Sequence, residues 1–283
     1  MPGRVAGVTV AVPVARPLWQ NVWQPLPGSW STYTTVTAHA TPHTKGVWVE
    51  LVTSTTGEAD GIDVDVQAIS ANGVDTGTLI DIGIGAAAAE VVIAGDVAVG
   101  SASGTPATPT PGGITFRVPV RIPPGSRVAA RIQAVVGAQT AMVAVRTLTA
   151  SPLAAVHTVV DTLGTSTATS AGTAMSASND TYVQVVAATA YAYDAIVMIP
   201  SASGTNLGGA RRKYTLGVGA SGSETAIGTV VAVTQGTERC DVTDLPCPVI
   251  RRRIPAGVRL AVKLDQSTVQ QDVTLLGIRK LVP

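Results

Sequence analysis

The sequence has little charge and few aromatic rings. Only 13% of its 283 residues are charged and 4% are aromatic, whereas about a quarter of an average globular chain is charged. Basic residues number 19 and acidic residues 18, so the formal net charge is +1. A net charge this small creates no field that would draw the chain to nucleic acid, and we expect no nucleic-acid partner. The 46% of hydrophobic residues excludes a disordered chain.

Long apolar runs are also missing. No run reaches the roughly 18 residues that a transmembrane helix needs, so we expect no membrane insertion. The first residues contain one basic side chain, Arg4, and prolines interrupt the stretch in which a signal peptide would need its apolar core: Pro13, Pro17, Pro25 and Pro27. This pattern predicts a soluble product without a cleaved signal peptide.

Residues that usually build reactive or metal sites are scarce. The three histidines are His39, His43 and His157, and the first two flank a proline rather than sharing a helix face. No zinc-protease, paired-cysteine or nucleophile-elbow motif is present. The sequence therefore predicts no enzyme, no cofactor and no metal. Cys240 and Cys247 allow a local disulfide or two free thiols, and two free thiols are favoured.

Strand-forming residues dominate what is present. Short β-branched runs recur between clusters of Gly, Ser, Thr, Pro and Asn, which is typical of strands joined by turns. In the run 62–66 the aspartates Asp63 and Asp65 alternate with aliphatic residues. This period of two predicts a strand whose aspartates lie on a solvated polar face. We therefore expect an all-β protein.

One alanine-rich stretch could be taken for a helix. Ala86–Ala89 precede Glu90, but the corresponding stretch later in the chain is Ala220-Ser221-Gly222-Ser223 before Glu224. Because Ser-Gly-Ser is a poor helix former, the two stretches are predicted to be turns between strands.

The most informative feature is an internal duplication. Four blocks recur in the same order at an offset of 132 to 134 residues. The pairs are Val47–Val52 with Thr181–Val186, Asp81–Ala86 with Thr215–Ala220, Arg121–Arg127 with Arg253–Arg259, and Met142–Leu148 with Leu275–Leu281. The chain is therefore interpreted as two copies of one unit.

The duplication defines the predicted domains. Residues 1–27 have no second copy and form an arm rich in Pro and Trp, residues 28–150 form the first unit, and residues 151–283 form the second. Each unit contains about seven or eight strand candidates, a density typical of a β-sandwich of the jelly-roll or immunoglobulin-like kind.

The block Ile-Pro-x-Gly-x-Arg has the chemistry of a hairpin corner. Proline fixes φ near −65°, and the following Gly125 or Gly257 permits a positive φ. Arg127 and Arg259 end the block. They are predicted to be solvated strand residues, and they are also candidates for contact with a partner. The Gly-x-Gly-Ala block lacks the helix and lysine of a phosphate loop, so its glycines are expected to allow close packing or a bulge.

All four tryptophans lie in the first 48 residues. Trp19, Trp23 and Trp30 are candidate interface residues because aromatic anchors are enriched at buried protein interfaces. Packing of the arm on its own first unit, docking on a neighbouring subunit and stacking on a sugar all remain open.

The blocks 81–93 and 120–131 resemble structural proteins of long-tailed bacteriophages. The resemblance covers residues 28–283, and the second copy departs from it at Thr215 and Ala256. It implies an oligomeric, all-β virion component that assembles in the host cytoplasm and contacts other virion proteins. A tail-associated protein of the tip or fibre-attachment type is the first hypothesis, and a capsid decoration protein is the second. A module that binds a host-surface glycan or receptor is the alternative from a different class.

Overall fold

The computed structural model describes residues 24–67, 78–99, 113–149, 159–164, 172–175, 180–202, 210–235, 239–242, 249–265 and 271–279. These residues form strands and turns, with no helix among them. The strands of the first half are Gln24–Trp30 (β1), Thr34–Thr37 (β2), Val49–Val52 (β3), Gly61–Gln67 (β4), Thr78–Ile84 (β5), Val91–Ala98 (β6), Gly113–Val118 (β7), Val128–Ala134 (β8) and Thr140–Thr149 (β9).

The strands of the second half are Val159–Leu163 (β10), Thr173–Ala174 (β11), Val183–Val186 (β12), Ala195–Ala202 (β13), Ala210–Val218 (β14), Thr225–Gln235 (β15), Arg239–Val242 (β16), Val249–Ile250 (β17), Leu260–Leu264 (β18) and Gln271–Arg279 (β19). We call β1–β9 repeat one and β10–β19 repeat two.

Four antiparallel sheets follow the same plan twice. In repeat one, sheet I has the order β1-β9-β4-β7 with β2 also on β9, and sheet II has the order β3-β8-β5-β6. In repeat two, sheet III has the order β10-β19-β13-β17 with β11 also on β19, and sheet IV has the order β12-β18-β14-β15-β16. Each sheet of repeat one thus has a counterpart, strand for strand, and β16 is an addition. The all-β class and the duplicated β-sandwich are confirmed.

The core consists mainly of aliphatic side chains from both sheets of each repeat, with a few buried aromatic rings among them. Ile62 and Val64 on β4 and Ile82 on β5 are fully buried, as are Ile196 on β13 and Leu216 on β14. Burial of this apolar surface is the main force that holds the two layers of each sandwich together.

The strand register corrects one part of the sequence repeat. Gly61 lies opposite Leu148 on β9, and its counterpart Ala195 lies opposite Ile278 on β19. The last strands therefore correspond at an offset of 130 rather than 133, and Arg146 corresponds to Leu276 instead of Arg279. The two segments that contain Arg146 and Arg279 align in sequence because their compositions are similar. In the structure, burial of the side chains on one face fixes the pairing register of each strand.

The domain boundaries stay predictions. Strand β1 crosses the expected end of the arm at residue 27, since it pairs Gln24 and Pro25 with the end of β9. Residues 1–23 and 150–158 lie outside the described residues.

Candidate assembly surface

The repeated hairpin corners are held by a threonine that sequence reasoning missed. The Thr55 hydroxyl donates to the Pro123 carbonyl (2.9 Å) and accepts from the Ser126 amide (3.0 Å). In repeat two the Thr189 hydroxyl donates to the Pro255 carbonyl (2.8 Å) and accepts from the Val258 amide (3.1 Å). The available signal was the spacing, because the two threonines are 134 positions apart, like the other repeated blocks.

The predicted corner itself is confirmed. Gly125 has a φ of +75° and Gly257 a φ of +76°. The alanine-rich stretch is confirmed as a turn as well, with φ values of +64° at Ala88 and +81° at Gly222. The same left-handed position is therefore occupied by Ala in one copy and by Gly in the other.

Arg127 and Arg259 each connect their own segment to two other segments of the same repeat. Arg127 contacts Glu90 (2.5 Å) after the β5–β6 turn and Glu50 (2.8 Å) on β3. Arg259 contacts Glu224 (2.5 Å) and donates a hydrogen bond to the side-chain oxygen of Gln184 (3.0 Å). Gln184 is the neutral counterpart of Glu50. Both arginines thus have intramolecular partners, and their proposed role in contacting a partner stays a prediction.

The clamps perturb the acids that they hold. Burial opposes ionisation of Glu90, but its own backbone amide and Arg127 outweigh that effect and lower its pKa. The hydrogen bond from Arg259 lowers the pKa of Glu224. Both carboxylates therefore stay charged well into the acidic range and keep the β5–β6 and β14–β15 turns attached to their sheets.

The repeated glycines of the Gly-x-Gly-Ala block make room for aromatic rings. A Cβ on Gly83 would lie 2.8 Å from the Trp48 ring, and one on Gly217 would lie 2.6 Å from the Tyr182 ring. The close packing expected at these glycines is therefore a contact between backbone and ring. It places Trp48 and Tyr182 across the outer faces of sheets II and IV.

The outer face of sheet II carries a charge network around Asp81. The Asp81 carboxylate, which is almost fully buried, contacts Lys45 (2.8 Å) and Arg131 (2.8 Å). The Arg131 guanidinium also lies 4.4 Å from the centroid of the Trp48 ring. Lys45 further contacts Asp96 (2.9 Å). These charges are compensated within repeat one.

The outer face of sheet I contradicts the expected solvated strand face. Asp63 is fully buried, and Asp65 is 9% exposed. Asp63 contacts Arg117 (2.7 Å) on β7 and Arg146 (2.7 Å) on β9. Alternation correctly predicted a strand, but the cross-strand arginines cover the carboxylates, and neither arginine has a sequence motif that would reveal this.

Asp65 is held by neutral groups. It accepts hydrogen bonds from the Tyr33 hydroxyl, from Gln67 (3.1 Å) and from Thr115 (3.3 Å). Partial burial and the hydrogen bond to Asp65 raise the pKa of Tyr33 to about 12. Tyr33 and Met142 remain 41% and 38% exposed. An aromatic ring and a thioether therefore lie at the surface beside the paired charges.

The corresponding face of sheet III is mainly aliphatic, with the buried Thr274 opposite Ile199. The register places Val197 where repeat one has Asp63, Ile199 in place of Asp65 and Leu276 in place of Arg146. All three aliphatic side chains are fully buried. Sheet III is thus buried on both faces.

Repeat one covers this mainly aliphatic face. Strand β6 contacts β10 and β19, while β7 contacts β13 and β16. The Thr162 hydroxyl on β10 donates to the Gly95 carbonyl on β6. Burial and the positive charge of Arg117 both lower the pKa of Arg251, which follows β17. The two sandwiches therefore meet with the β6–β7 edge of repeat one against the outer face of sheet III.

The remaining candidate interface residues lie in or before β1. Trp19 and Trp23 lie outside the described residues. Trp30 ends β1, at the register position opposite Arg146. The counterpart of this position in repeat two is Thr162, opposite Leu276.

The histidines that the structure describes lie in one exposed turn. His39 accepts from the Thr41 amide through Nδ1 (2.9 Å), and His43 adopts a φ of +59° in the same exposed turn. Among the described residues, no group of three His, Cys, Asp or Glu side chains is placed to hold a metal ion. Cys240 lies in β16, and Cys247 lies outside the described residues. In the part of the chain that the structure describes, no helix is long and apolar enough to span a membrane.

Comparison with solved structures finds chains that are similar to this one. No family model and no curated protein matches the chain. A structure titled "Crystal Structure of the STIV MCP" aligns over 89% of this chain and 96% of that chain, with 12% sequence identity and a TM-score of 0.31.

Proposed function

We propose that this chain is a non-enzymatic structural protein of a virion, which assembles as an oligomer through its β-sandwiches. The observation that carries the proposal is the contact between the repeats. The edge of repeat one packs on a sheet face of repeat two. The chain therefore contains both of the surfaces that form a contact between two such units.

The charges of the described faces support the same function. Asp63 and Asp81 are buried and compensated by arginine or lysine within repeat one. Compensated charge can be covered by a neighbouring subunit without leaving an unpaired ion, which would cost several kcal/mol. These faces are therefore suited to contact another protein.

A place in the virion is supported by the sequence resemblance to structural proteins of long-tailed bacteriophages. A tail-associated position is our first proposal, with a position on the capsid surface as the alternative. Quantitative mass spectrometry of purified particles separates them, because a tail tip holds few copies and a decorated capsid holds hundreds. Absence of the chain from particles would overturn the proposal.

The arm is proposed to dock the protein onto its neighbours through Trp19 and Trp23. The matched test removes residues 1–23 and keeps β1 intact. The truncated chain should fold but fail to enter particles. Normal incorporation would contradict a docking role. Loss of glycan-array binding in Trp→Ala variants would instead favour the sugar-binding alternative.

A further inference from the structure

The two hairpin corners correspond residue by residue. A backbone bridge joins Ala59 to Ile122 in repeat one, and the equivalent bridge joins Tyr193 to Ile254 in repeat two. Beside each bridge lies the threonine that holds the corner. The segments that these contacts bring together form what we call the corner end of each repeat: residues 50–60 and 119–127 in repeat one, and residues 184–194 and 251–259 in repeat two.

The corner end of repeat one has a surplus of acid. Its clamping arginine, Arg127, is matched by the buried acid after the β5–β6 turn. The remaining charges are Glu50, Glu58 and Asp60 against Arg121, which together have a formal charge of −2. Glu50 and Glu58 are both exposed. This end therefore presents carboxylates to solvent.

The corner end of repeat two has the opposite surplus. Its clamping arginine is again matched by an acid. Neutral residues, Gln184 and Ala192, stand at the positions of the first two acids of repeat one, while three consecutive arginines at 251–253 stand against Asp194. These charges have a formal sum of +2.

Two of the three arginines are presented to solvent. Arg251 lies near Arg117 of repeat one. Arg252 and Arg253 are exposed, and neither forms an ion pair with another described residue. The counterpart of Arg253 in repeat one is Arg121, which does have a carboxylate partner. Repeat two thus displays guanidinium groups at the place where repeat one neutralises them.

We propose that the basic corner end of repeat two binds the acidic corner end of repeat one in a second copy of this chain. Guanidinium groups suit this contact because they bind carboxylates through paired hydrogen bonds. The contact rests on the proposed function, since it supplies the self-association that this function requires. Because the two ends are different surfaces, the contact is heterologous and generates a ring or a filament rather than a two-fold dimer.

The distribution of charge favours a second copy as the partner. The net charge of the whole chain is only +1, so two copies do not repel each other as whole molecules. Two ends of the same kind would bring like charges together, which is costly across an interface. An acidic end and a basic end compensate each other instead, because their formal charges are equal and opposite.

The test exchanges the charges of the two ends in the full chain. Arg252→Glu with Arg253→Glu makes the end of repeat two acidic and should weaken self-association at least about tenfold. Glu50→Lys with Glu58→Lys makes the end of repeat one basic and should weaken self-association as strongly. A variant with all four changes should assemble like the unaltered chain, because its two ends are again opposite in charge. Sedimentation equilibrium measures the association constants.

The control is Val47→Glu, which adds a negative charge at a side chain that is 77% exposed and lies before β3, away from the corner. It should assemble like the unaltered chain. Circular dichroism and thermal melting establish that the variants fold. Raising the salt concentration from about 0.1 M to about 1 M shortens the Debye length from about 10 Å to about 3 Å. It should weaken association of the unaltered chain and of the variant with four changes alike.

Several results would overturn the assignment of these two ends: unweakened association of either double variant, failure of the variant with four changes to assemble, association that is insensitive to salt, or loss of assembly in the control. If the Arg252 and Arg253 variant self-associates normally but is excluded from particles, these arginines contact a different virion protein and the contact between copies is wrong. An unaltered chain that is monomeric at every concentration would overturn self-assembly, and with it the proposed function.

Discussion

The Trp48 ring lies directly over Gly83, so closely that a Cβ at this glycine would be 2.8 Å from the ring. The pair links the start of β3 to β5 across the intervening strand β8. Tyr182 and Gly217 make the same pair in repeat two. The contact between a glycine and an aromatic ring is therefore a packing feature that both repeats share.

Replacement of Gly83 by Ala should destabilise the protein by about 1–3 kcal/mol, because the added methyl group forces the Trp48 ring away from the sheet. Chemical denaturation measures the loss. In the background Trp48→Ala the same replacement should have a much smaller effect. Equal effects in both backgrounds would disprove the steric explanation.

Ala88 and Gly222 occupy the same left-handed turn position. We expect Ala88→Gly to stabilise repeat one, by up to about 1 kcal/mol, because glycine adopts a positive φ without a Cβ clash. The reciprocal Gly222→Ala should destabilise by a similar amount, although a Cβ there would meet no atom within 4 Å. Denaturation midpoints of the two variants should move in opposite directions. Shifts in the same direction would contradict the conformational explanation.

The hydroxyl of Thr189 bridges both sides of the second hairpin corner. Thr189→Val keeps the shape but leaves the Val258 amide and the Pro255 carbonyl without this partner, and should cost about 0.5–1.5 kcal/mol. Thr189→Ser retains the hydroxyl and should cost less. If Ser proves more harmful than Val in urea denaturation, the methyl contact rather than the hydrogen bonds holds the corner.

The buried ion pairs of sheet I can be exchanged for their aliphatic counterparts. Asp63→Val leaves Arg117 and Arg146 without their shared carboxylate and should cost about 3–5 kcal/mol. The triple variant Asp63→Val, Arg117→Val, Arg146→Leu copies Val197, Val249 and Leu276 of repeat two. It should recover most of that loss in chemical denaturation. A triple variant as unstable as the single one would show that the two faces are not equivalent.

Acid should weaken the clamps at Glu90 and Glu224. Their pKa values are lowered in the folded state relative to the ordinary 4.5, so their contribution is complete above that pH and declines as the pH falls towards the lowered values. Denaturation of the unaltered chain and of Glu90→Gln at pH 7 and below pH 4.5 tests this. The difference in stability between them should narrow in acid. A constant difference would exclude an ionic contribution from Glu90.

The sequence predicted the fold class well because its signals are local. Alternation at 62–66, the Pro-x-Gly corner and the poor helix former at Ser221–Ser223 each specify a strand or turn by themselves. The duplication then predicted two sandwiches. These features need no knowledge of distant contacts.

The candidate surface depends on contacts that no local pattern contains. Asp63 was expected to face solvent, but it is covered by arginines 54 and 83 residues away in the chain. The sequence repeat aligned β9 with β19 at the wrong offset because similar residues recur along each strand. The true register of these strands is fixed by their pairing with β4 and β13. The equivalent strand positions distinguish the aliphatic face of sheet III from the charged face of sheet I.

As a building block, this chain should associate with copies of itself. Sedimentation velocity of the unaltered chain over a wide concentration range tests it most directly. We expect a discrete species larger than the 28.6 kDa chain, whose fraction grows with concentration. A single 28.6 kDa species at every concentration would contradict the account.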